Sequence, residues 1–577
     1  MRIKIAKTAG FCMGVRRAVD LVLDTANTSN EPICTYGPLI HNPQVLDLLK
    51  EKGIPVINEI PEKGSGSVLI RAHGVPPEVK SGLKKAGFNI IDATCPRVIK
   101  VQTIIRVHAK KGFSSIIIGD RDHPEVVGLL GYAEGKGHVV ESMNDLKMLP
   151  QFKNAIVVAQ TTQNTAFFKE AREYIALHLP HYQIFNTICD STEKRQAEIK
   201  TISESVDAVI VVGGKSSGNT RRLAEIAKET GKPAYHIENE SELDMKSLEP
   251  DQTIAITAGA STPNWVINRV YRLLEANFIT KNHGWLKKIF SMQRALLLTN
   301  LYLAVGAGLI SYTSAKLQGL TAGPRHLILS SLYILSMHIF NDLTGIKEDR
   351  YNDPDRANFY NDNMTILAGL AIIAGAACLI TAYTLDHLSF ITLSVMSILG
   401  LSYNFTFLPN AIYKGKYRKI RDIPGAKTIL ITVAWGIVTT ILPALSVTGR
   451  IRLSTMIAFL LSSGIVFSRT ALYNILDMQG DRIAGKETIP LLIGEEKTMR
   501  LIKNTLLFLS FLMLGSSMLH LVSGLGCVLA LYPLYLTAII FIHEKEYMLP
   551  GFKLEFLVET NFIIAGLISF FWSVIYQ

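Results

Sequence analysis

Residues 90–96 read Ile90-Ile91-Asp92-Ala93-Thr94-Cys95-Pro96, an apolar run that closes on a cysteine followed at once by proline. A short apolar run bounded in this way predicts a strand, and proline is favoured at the first position of a helix, so Cys95 falls where a strand has ended and a helix begins. Two further cysteines share that setting, in Gly10-Phe11-Cys12-Met13-Gly14-Val15 and in Ile188-Cys189-Asp190-Ser191-Thr192. After Cys12, the residues Val15, Ala18, Val19, Val22, Leu23 and Ala26 lie on one helical face, and Asp190 to Glu193 read as a helix N-cap region. Each thiol therefore meets the positive end of a helix dipole, which favours thiolate. A 4Fe-4S cluster is normally held by four thiolates. Three thiolates on three loops suit such a cluster with one iron left open, the arrangement of a catalytic metal site.

Working outward, Val/Ile-rich runs predict strands at Ile3–Ala6, Val68–Arg71, Ile90–Ala93, Ser115–Ile118, Ile156–Ala159, Gln183–Phe185, Ala208–Val212 and Thr253–Thr257, with helical patterns between most of them. That alternation predicts α/β architecture with mostly parallel sheets. Polar groups recur at the strand ends: His41, His73, His123 with Glu125, Thr161 and Thr162, Ser217 and Asn219, and Ser261. Ligands of open α/β sheets sit beyond the carboxyl ends of the strands, and this donor set suits a diphosphate. The loop Gly213-Gly-Lys-Ser-Ser-Gly-Asn219 is a weak phosphate signal and not a Walker loop.

Across all 577 residues the composition changes near residue 285. From 295 onward the chain is a series of apolar segments of roughly membrane-spanning length, which accounts for a mean hydropathy of +0.26. The amino terminus lacks the apolar core of a signal peptide, so the first half is expected in the cytoplasm. Six scattered cysteines make no disulfide framework; Cys378 and Cys527 fall in apolar segments and Cys34 has no motif. The net charge of +11 does not gather into one stripe, which argues against nucleic acid as a partner.

The motifs Gly-Phe-Cys12-Met-Gly-Val-Arg-Arg-Ala, His41-Asn-Pro, Ala-His73-Gly-Val, Asp-Ala-Thr-Cys95-Pro, His123-Pro-Glu125-Val, Gln-Thr161-Thr162, Ile-Cys189-Asp-Ser-Thr and Thr-Ala-Gly-Ala-Ser261 closely resemble the 4-hydroxy-3-methylbut-2-enyl diphosphate reductase (LytB-type) family, over about 1–278. One departure is Gly218, where many members carry a second serine. The resemblance implies a trefoil of three α/β sub-domains around a central 4Fe-4S cluster on Cys12, Cys95 and Cys189. It also implies a diphosphate cradle of His41, His73, His123, Ser217, Asn219 and Ser261, and protons from Glu125 relayed with Thr161 or Thr162. The expected products are isopentenyl and dimethylallyl diphosphates, and the expected partner is a one-electron donor such as ferredoxin or flavodoxin.

The second half reads as nine apolar segments, 295–315, 324–344, 364–385, 388–408, 427–447, 453–474, 501–521, 523–542 and 556–576, an all-α polytopic bundle of about nine helices. With the first half in the cytoplasm, the loops on that side carry twenty Lys and Arg against four outside, in line with the positive-inside rule. The expectation is a multi-pass protein of the cytoplasmic, inner membrane, built of a domain at 1–280, a basic linker at 281–294 and a membrane domain at 295–577.

Two acidic clusters fall at the expected cytoplasmic ends of the second and sixth segments, Asn341-Asp342 to Asp349-Arg350 and Asp477 to Asp481-Arg482. Carboxylates there are costly, and hard oxygen ligands on two helices suit Mg²⁺ with a diphosphate. The spacing puts Asp477 and Asp481 on one helical face. Together with Gly485, Lys486 and Thr488-Ile-Pro490 these residues resemble the UbiA family of intramembrane prenyltransferases, over about 285–577. Gly345 stands where that family has the middle Asp of its first motif, leaving Asn341, Asp342 and Asp349. The resemblance implies Mg²⁺ on Asn341, Asp342, Asp349, Asp477 and Asp481. It places Arg350, Arg482, Lys486, Lys414 and Tyr403 near a prenyl diphosphate, whose prenyl group passes to an unidentified acceptor, aromatic by family base rate. The expectation is a bifunctional isoprenoid enzyme; the alternative is a reductase anchored by a catalytically silent membrane domain.

Overall fold

Twelve short strands build the first part of the molecule: β1 (Arg2–Ile5), β2 (Ile33–Tyr36), β3 (Val56–Ile57), β4 (Ser67–Ile70), β5 (Asn89–Asp92), β6 (Ser114–Ile118), β7 (Gly137–Val140), β8 (Ala155–Ala159), β9 (Gln183–Ile184), β10 (Ala208–Val212), β11 (Ala234–Ile237) and β12 (Thr253–Ala258). They are seen in a computed structural model that describes residues 2–576 except 30, 250, 283, 322, 403–422, 424 and 545–550, and except the side chains of 2, 277–282, 284, 286, 347 and 348. The chain divides into two units, Met1–Asn282 and His283–Gln577.

In the first unit the strands form three sheets, ordered β3-β2-β4-β5, β7-β6-β8-β9 and β11-β10-β12-β1. All the described pairings are parallel. Written this way the sheets share one connectivity, and in the last of them the fourth position is taken by β1, from the opposite end of the unit. Parallel pairing requires crossovers, which the intervening helices supply. The strands inside each sheet, such as β4, β8 and β10, are buried along their whole length and read as unbroken apolar runs. The apolar runs predict eight of the strands; β2, β3, β7 and β11 are additional.

The second unit is helical. Among the described residues, seven helices are long and apolar enough to cross a membrane: Pro324–Ile346, Met364–Leu385, Ala426–Thr448, Leu453–Leu476, Glu495–Met518, Leu525–Glu544 and Phe552–Tyr576. The bent pair Lys287–Leu298 and Leu301–Leu317 makes an eighth if counted as one span. These account for eight of the nine expected segments. The first segment breaks at Asn300, which adopts a left-handed conformation (φ 58°) and lies at a 71° bend. The fourth is described only as the 16-residue helix His387–Ser402, the rest of it lying outside the described residues. The basic stretch 281–294 overlaps the helix Gly284–Leu298.

Packing between these helices relies on small residues where backbones approach. A Cβ on Gly306 would press on Phe562, and one on Gly566 on Leu309. Trp435 stacks on Phe562 with centroids 5.0 Å apart. Buried charge is paired: Arg469 meets Glu559 at 2.6 and 2.9 Å, and Tyr473 donates to the same carboxylate at 3.0 Å.

Candidate active sites

The shared connectivity of the three sheets repeats the chemistry three times. Cys95, Cys189 and Cys12 follow β5, β9 and β1, each an edge strand, and each cysteine caps the amino end of the next helix: Pro96–Ala109, Asp190–Ser203 and Met13–Thr28. The backbone N–H of each donates to the carbonyl lying two residues beyond the neighbouring strand, Ala72 at 2.9 Å, Thr161 at 2.9 Å and Ala260 at 3.1 Å. Three residues beyond those same strands stand His73, Thr162 and Ser261, and five beyond β2, β6 and β10 stand His41, His123 and Ser217. The nine side chains line one cavity of about 90 Å³ together with Glu125, Thr161 and Asn219.

The three thiols face this cavity from different loops. Cys12 Sγ accepts from Val15 N at 3.5 Å. Burial pushes the Cys95 and Cys189 thiols up, against the pull of backbone N–H groups of their helices. Without a bound cation such thiols stay protonated. A metal removes those protons, so the donor set fits an iron-sulfur group.

The imidazoles of His41, His73 and His123 stand 4.9 to 5.8 Å apart between centroids, with ring nitrogens all within 4.8 Å of one another. Burial lowers all three pKa values and Arg71 adds to the effect, as do the neighbouring imidazoles at His73 and His41 at His123; His123 comes down to about 4. His123 Nδ1 accepts from Glu125 N at 3.1 Å, which leaves the proton of the neutral ring on Nε2. His41 Nε2, His73 Nδ1 and Asn219 Nδ2 are buried without a partner. Unmatched donors cost about 1–3 kcal/mol each when buried, so an anion entering here recovers that cost and raises the imidazole pKa values again. Ser261 Oγ donates to the His41 carbonyl at 3.1 Å and to Ser217 Oγ at 3.3 Å, turning both hydroxyls to the same wall.

Glu125 is 1 % exposed and accepts from Thr161 N at 2.7 Å and Thr161 Oγ1 at 2.8 Å. Burial raises its pKa to about 7, the two Thr161 bonds opposing. A carboxyl poised there can hold a proton near neutral pH and release it, as a general acid must. Thr162 is held differently, its hydroxyl accepting from Gln160 Nε2 at 2.9 Å. Arg71 escaped the sequence reading although it stands two residues before His73. So did the Asp120–Arg222 pair, in which Arg222 Nη2 lies 2.8 and 2.9 Å from the two carboxylate oxygens, and for which no local signal exists.

In the second unit a cavity of about 450 Å³ is walled by Tyr333, Ile334, Met337, Leu430, Ile431, Ala434 and Trp435, with His338, Asn341, Thr344 and Lys427 as its polar groups. Lys427 was not singled out by the sequence. Asp349 and Asp481 come together around Lys486, whose Nζ lies 3.5 Å from one carboxylate and 4.0 Å from the other, and Asn352 donates to Asp481 at 3.1 Å. Asp477 is the residue on which the helix Leu453–Leu476 ends, and the turn continues through Asp481 N donating to the Asp477 carbonyl at 2.9 Å. Asp342 is held elsewhere: Asn300 donates to it at 2.8 Å and Arg356 at 3.3 Å, the same arginine meeting Glu555. Asn341 donates to Asp342 at 3.3 Å. A Cβ on Gly345 would lie 3.0 Å from Asp349 Oδ2, so the Asp349 carboxylate leans into the space an Asp at 345 would occupy. Arg350 donates to the Tyr351 hydroxyl at 3.2 Å, and Arg482 follows Asp481 on its short helix. Among the described residues, no three of these acids bring their oxygens within 4.8 Å of one another. The oxygen-only pair Asp349 and Asp481 fits Mg²⁺, which takes one or two carboxylates and keeps waters; Asp342 accepts from Arg356 and Asn300. Tyr403 and Lys414 lie outside the described residues.

Residues 3–275 match the LytB protein family profile, and residues 319–548 match that of the UbiA prenyltransferase family. The first unit is similar to 4-hydroxy-3-methylbut-2-enyl diphosphate reductase of Aquifex aeolicus, 43% identical over 271 residues that cover 46% of this chain and 94% of the relative. It is also similar to the enzyme of that name from Geobacter sulfurreducens, 40% identical and covering 49% of this chain and 100% of the relative. Among solved structures, a UbiA homolog from Aeropyrum pernix K1 matches 47% of this chain and 98% of its own at 14% identity, with a TM-score of 0.36.

Proposed function

We propose, from the premise that this chain belongs to the LytB family and carries over residues 319–548 a match to the UbiA prenyltransferase family, that it is a bifunctional isoprenoid enzyme. Its first unit reduces 4-hydroxy-3-methylbut-2-enyl diphosphate to isopentenyl and dimethylallyl diphosphates, consuming two electrons and two protons and releasing water. The observation that carries this reading is the single cavity in which three cysteines on three loops face buried, unpartnered imidazole and amide donors. A 4Fe-4S cluster on Cys12, Cys95 and Cys189 would, when bound, supply electrons and an open iron for the substrate hydroxyl. His41, His73, His123, Asn219, Ser217 and Ser261 bind the diphosphate and fix the carbon chain against the thiol end of the cavity. Glu125 holds a proton at its carboxyl, oriented by Thr161 Oγ1, and delivers it toward the departing hydroxyl, while Thr162 lines the same path. The electron donor is an external one-electron carrier. The test is turnover of the diphosphate by anaerobically purified protein with a one-electron reductant; no isoprenyl diphosphate from iron-replete protein would refute the reading.

The second unit transfers a prenyl group inside the bilayer. Asp349 and Asp481 would hold Mg²⁺, which neutralises charge on the leaving diphosphate. Lys486 and Lys427 add positive charge to that end, and the apolar wall from Tyr333 to Trp435 takes the prenyl chain. Aromatic acceptors are the first to screen, in membranes containing the full chain and with Mg²⁺ present or chelated. The whole protein lies in the cytoplasmic membrane with the reductase on the cytoplasmic side, a placement supported by the charge bias of the loops. A second reading, a membrane unit that only anchors the reductase, is favoured by Gly345, which removes one oxygen ligand from the first acidic motif.

A further inference from the structure

The three cysteine loops are tied to one another by three arginines, one from each cysteine-capped helix. Arg17, on the helix after Cys12, donates to the carbonyls of Thr94 at 3.1 Å and Asp92 at 3.4 Å, gripping the segment that leads into Cys95. Arg97, on the helix after Cys95, donates to Asp190 at 2.6 Å, the residue that follows Cys189. Arg195, on the helix after Cys189, donates to the carbonyl of Gly10 at 2.6 Å and to that of Thr8, just before Cys12. The contacts run from the first loop to the second, to the third and back to the first. We propose that Arg17, Arg97 and Arg195 form a closed ring of positioning residues that sets the spacing of the three thiols, with Arg195 its principal member. This rests on the reading of Cys12, Cys95 and Cys189 as ligands of one cluster.

Each cysteine hangs on the edge of its own sheet, so the rigidity of a sheet fixes one thiol but not its distance from the other two. A planar guanidinium offers two carbonyls of a neighbouring loop two separate nitrogens at a fixed spacing, whereas a lysine offers one rotating ammonium. The members differ in strength. The Arg97–Asp190 pair is open to solvent, with side chains 43% and 61% exposed, and exposed ion pairs contribute little. Arg195 is 3% exposed, grips two carbonyls, and has a buried Nε with no partner. Its charge also lies beside the thiols of Cys12 and Cys189. A buried cation there favours the thiolate form and offsets the negative charge that three thiolates bring.

The test uses the full chain, purified anaerobically, with Arg195→Gln, Arg195→Lys, Arg17→Gln and Arg97→Gln set beside Cys95→Ser. The readouts are iron per chain, the rate of iron release to a chelator, the reduction potential of the bound group, and circular dichroism of the metal-free protein. Arg195→Gln is expected to release iron at least tenfold faster and to shift the potential to more negative values, because a cation beside the cluster favours its reduction. Arg195→Lys should restore the potential but not the release rate, since it keeps the charge and loses the fork. Arg17→Gln should fall between, and Arg97→Gln should stay within twofold of wild type. Wild-type iron release from both Arg195→Lys and Arg17→Gln overturns the ring, whether or not Arg195→Gln folds. If Cys95→Ser keeps all its iron, the cluster reading itself fails; if it loses iron while the arginine variants do not, only the ring fails.

Discussion

Glu125 owes its chemistry to a contest between burial and two hydrogen bonds. Burial wins and lifts its pKa to about 7, although Thr161 donates twice to the carboxylate. Because the folded value lies above the ordinary one, the protonated form is favoured in the native protein. The associated stability is present below the usual glutamate range and is lost as pH rises through about 7. Reduction should follow the same limb, falling as pH passes about 7. Glu125→Gln keeps the shape and removes the transferable proton, which predicts a loss of about 10² to 10⁴ in turnover with iron content and substrate binding retained; turnover within threefold of wild type would remove Glu125 from the mechanism. Thr161→Val deletes one bond to the carboxylate and should move the alkaline limb to higher pH, readable in the pH profile of kcat. Gly218 offers a complementary test. A Cβ there would lie 3.8 Å from Asp120 Oδ2 and from His123 Cδ2, ordinary contact distances, so Gly218→Ser adds a hydroxyl to the diphosphate wall without strain. One net hydrogen bond is worth about 0.5–1.5 kcal/mol, and KM should drop about threefold to tenfold with kcat little changed.

At the level of elements, the first turn of the helix Met13–Thr28 shows how closely the three loops approach. Gly14 lies in that turn, where glycine costs helix stability of about 1 kcal/mol relative to alanine. On propensity alone Gly14→Ala would stabilise. A Cβ there, however, would run into Cys95 Sγ and lie 3.0 Å from Cys95 Cβ. The clash wins, so Gly14→Ala should lower iron per chain below half of wild type and lower the melting temperature; a variant with full iron and a raised melting temperature would mean that the loops do not meet as closely as described. Most of this architecture was legible. The inner strands bury both faces and therefore announce themselves as apolar runs, as Ile156 to Ala159 does. The strands that escaped are mostly edges such as β3, two residues long and half exposed, or β11, whose Tyr235 and His236 interrupt the apolar pattern. The cysteines could be placed because each sits between a visible strand and a visible helix start. The repeat of His41, His123 and Ser217 at equal distances beyond β2, β6 and β10 was hidden, since β2 was unseen and the residue types differ. Arg195 and Arg222 were illegible for another reason: their partners lie far away in sequence, and a helical arginine carries no local mark of what it will grip.

At the scale of the whole molecule, the two proposed chemistries would draw on separate residues and separate metals. The membrane unit was read correctly as helical and apolar, yet hydropathy alone cannot register the 71° break at Asn300. The same limit applied to the acids, because spacing along a helix does not say which carboxylate an arginine has already claimed. Asp342 is matched by Arg356 and Asn300, whereas Asp481 is 4% exposed with Asn352 and Lys486 beside it and Asp349 across the lysine. Asp481 is therefore the carboxylate with most to gain from a divalent cation, and Asp477 stands one helical turn before it. In membranes containing the full chain, Asp481→Ala and Asp349→Ala should each cut Mg²⁺-dependent prenyl transfer. Removing a ligand of the metal forfeits several kcal/mol of leaving-group stabilisation, so the drop should be on the order of a hundredfold or more. Reductase turnover of the same preparations should stay at the wild-type level, because its cavity is built wholly from residues of the first unit. Unchanged transfer in both variants would make these carboxylates structural. If wild-type membranes transfer no prenyl group to any acceptor while reduction proceeds, the anchoring reading stands instead, and Gly345 becomes the residue at which the second activity was lost.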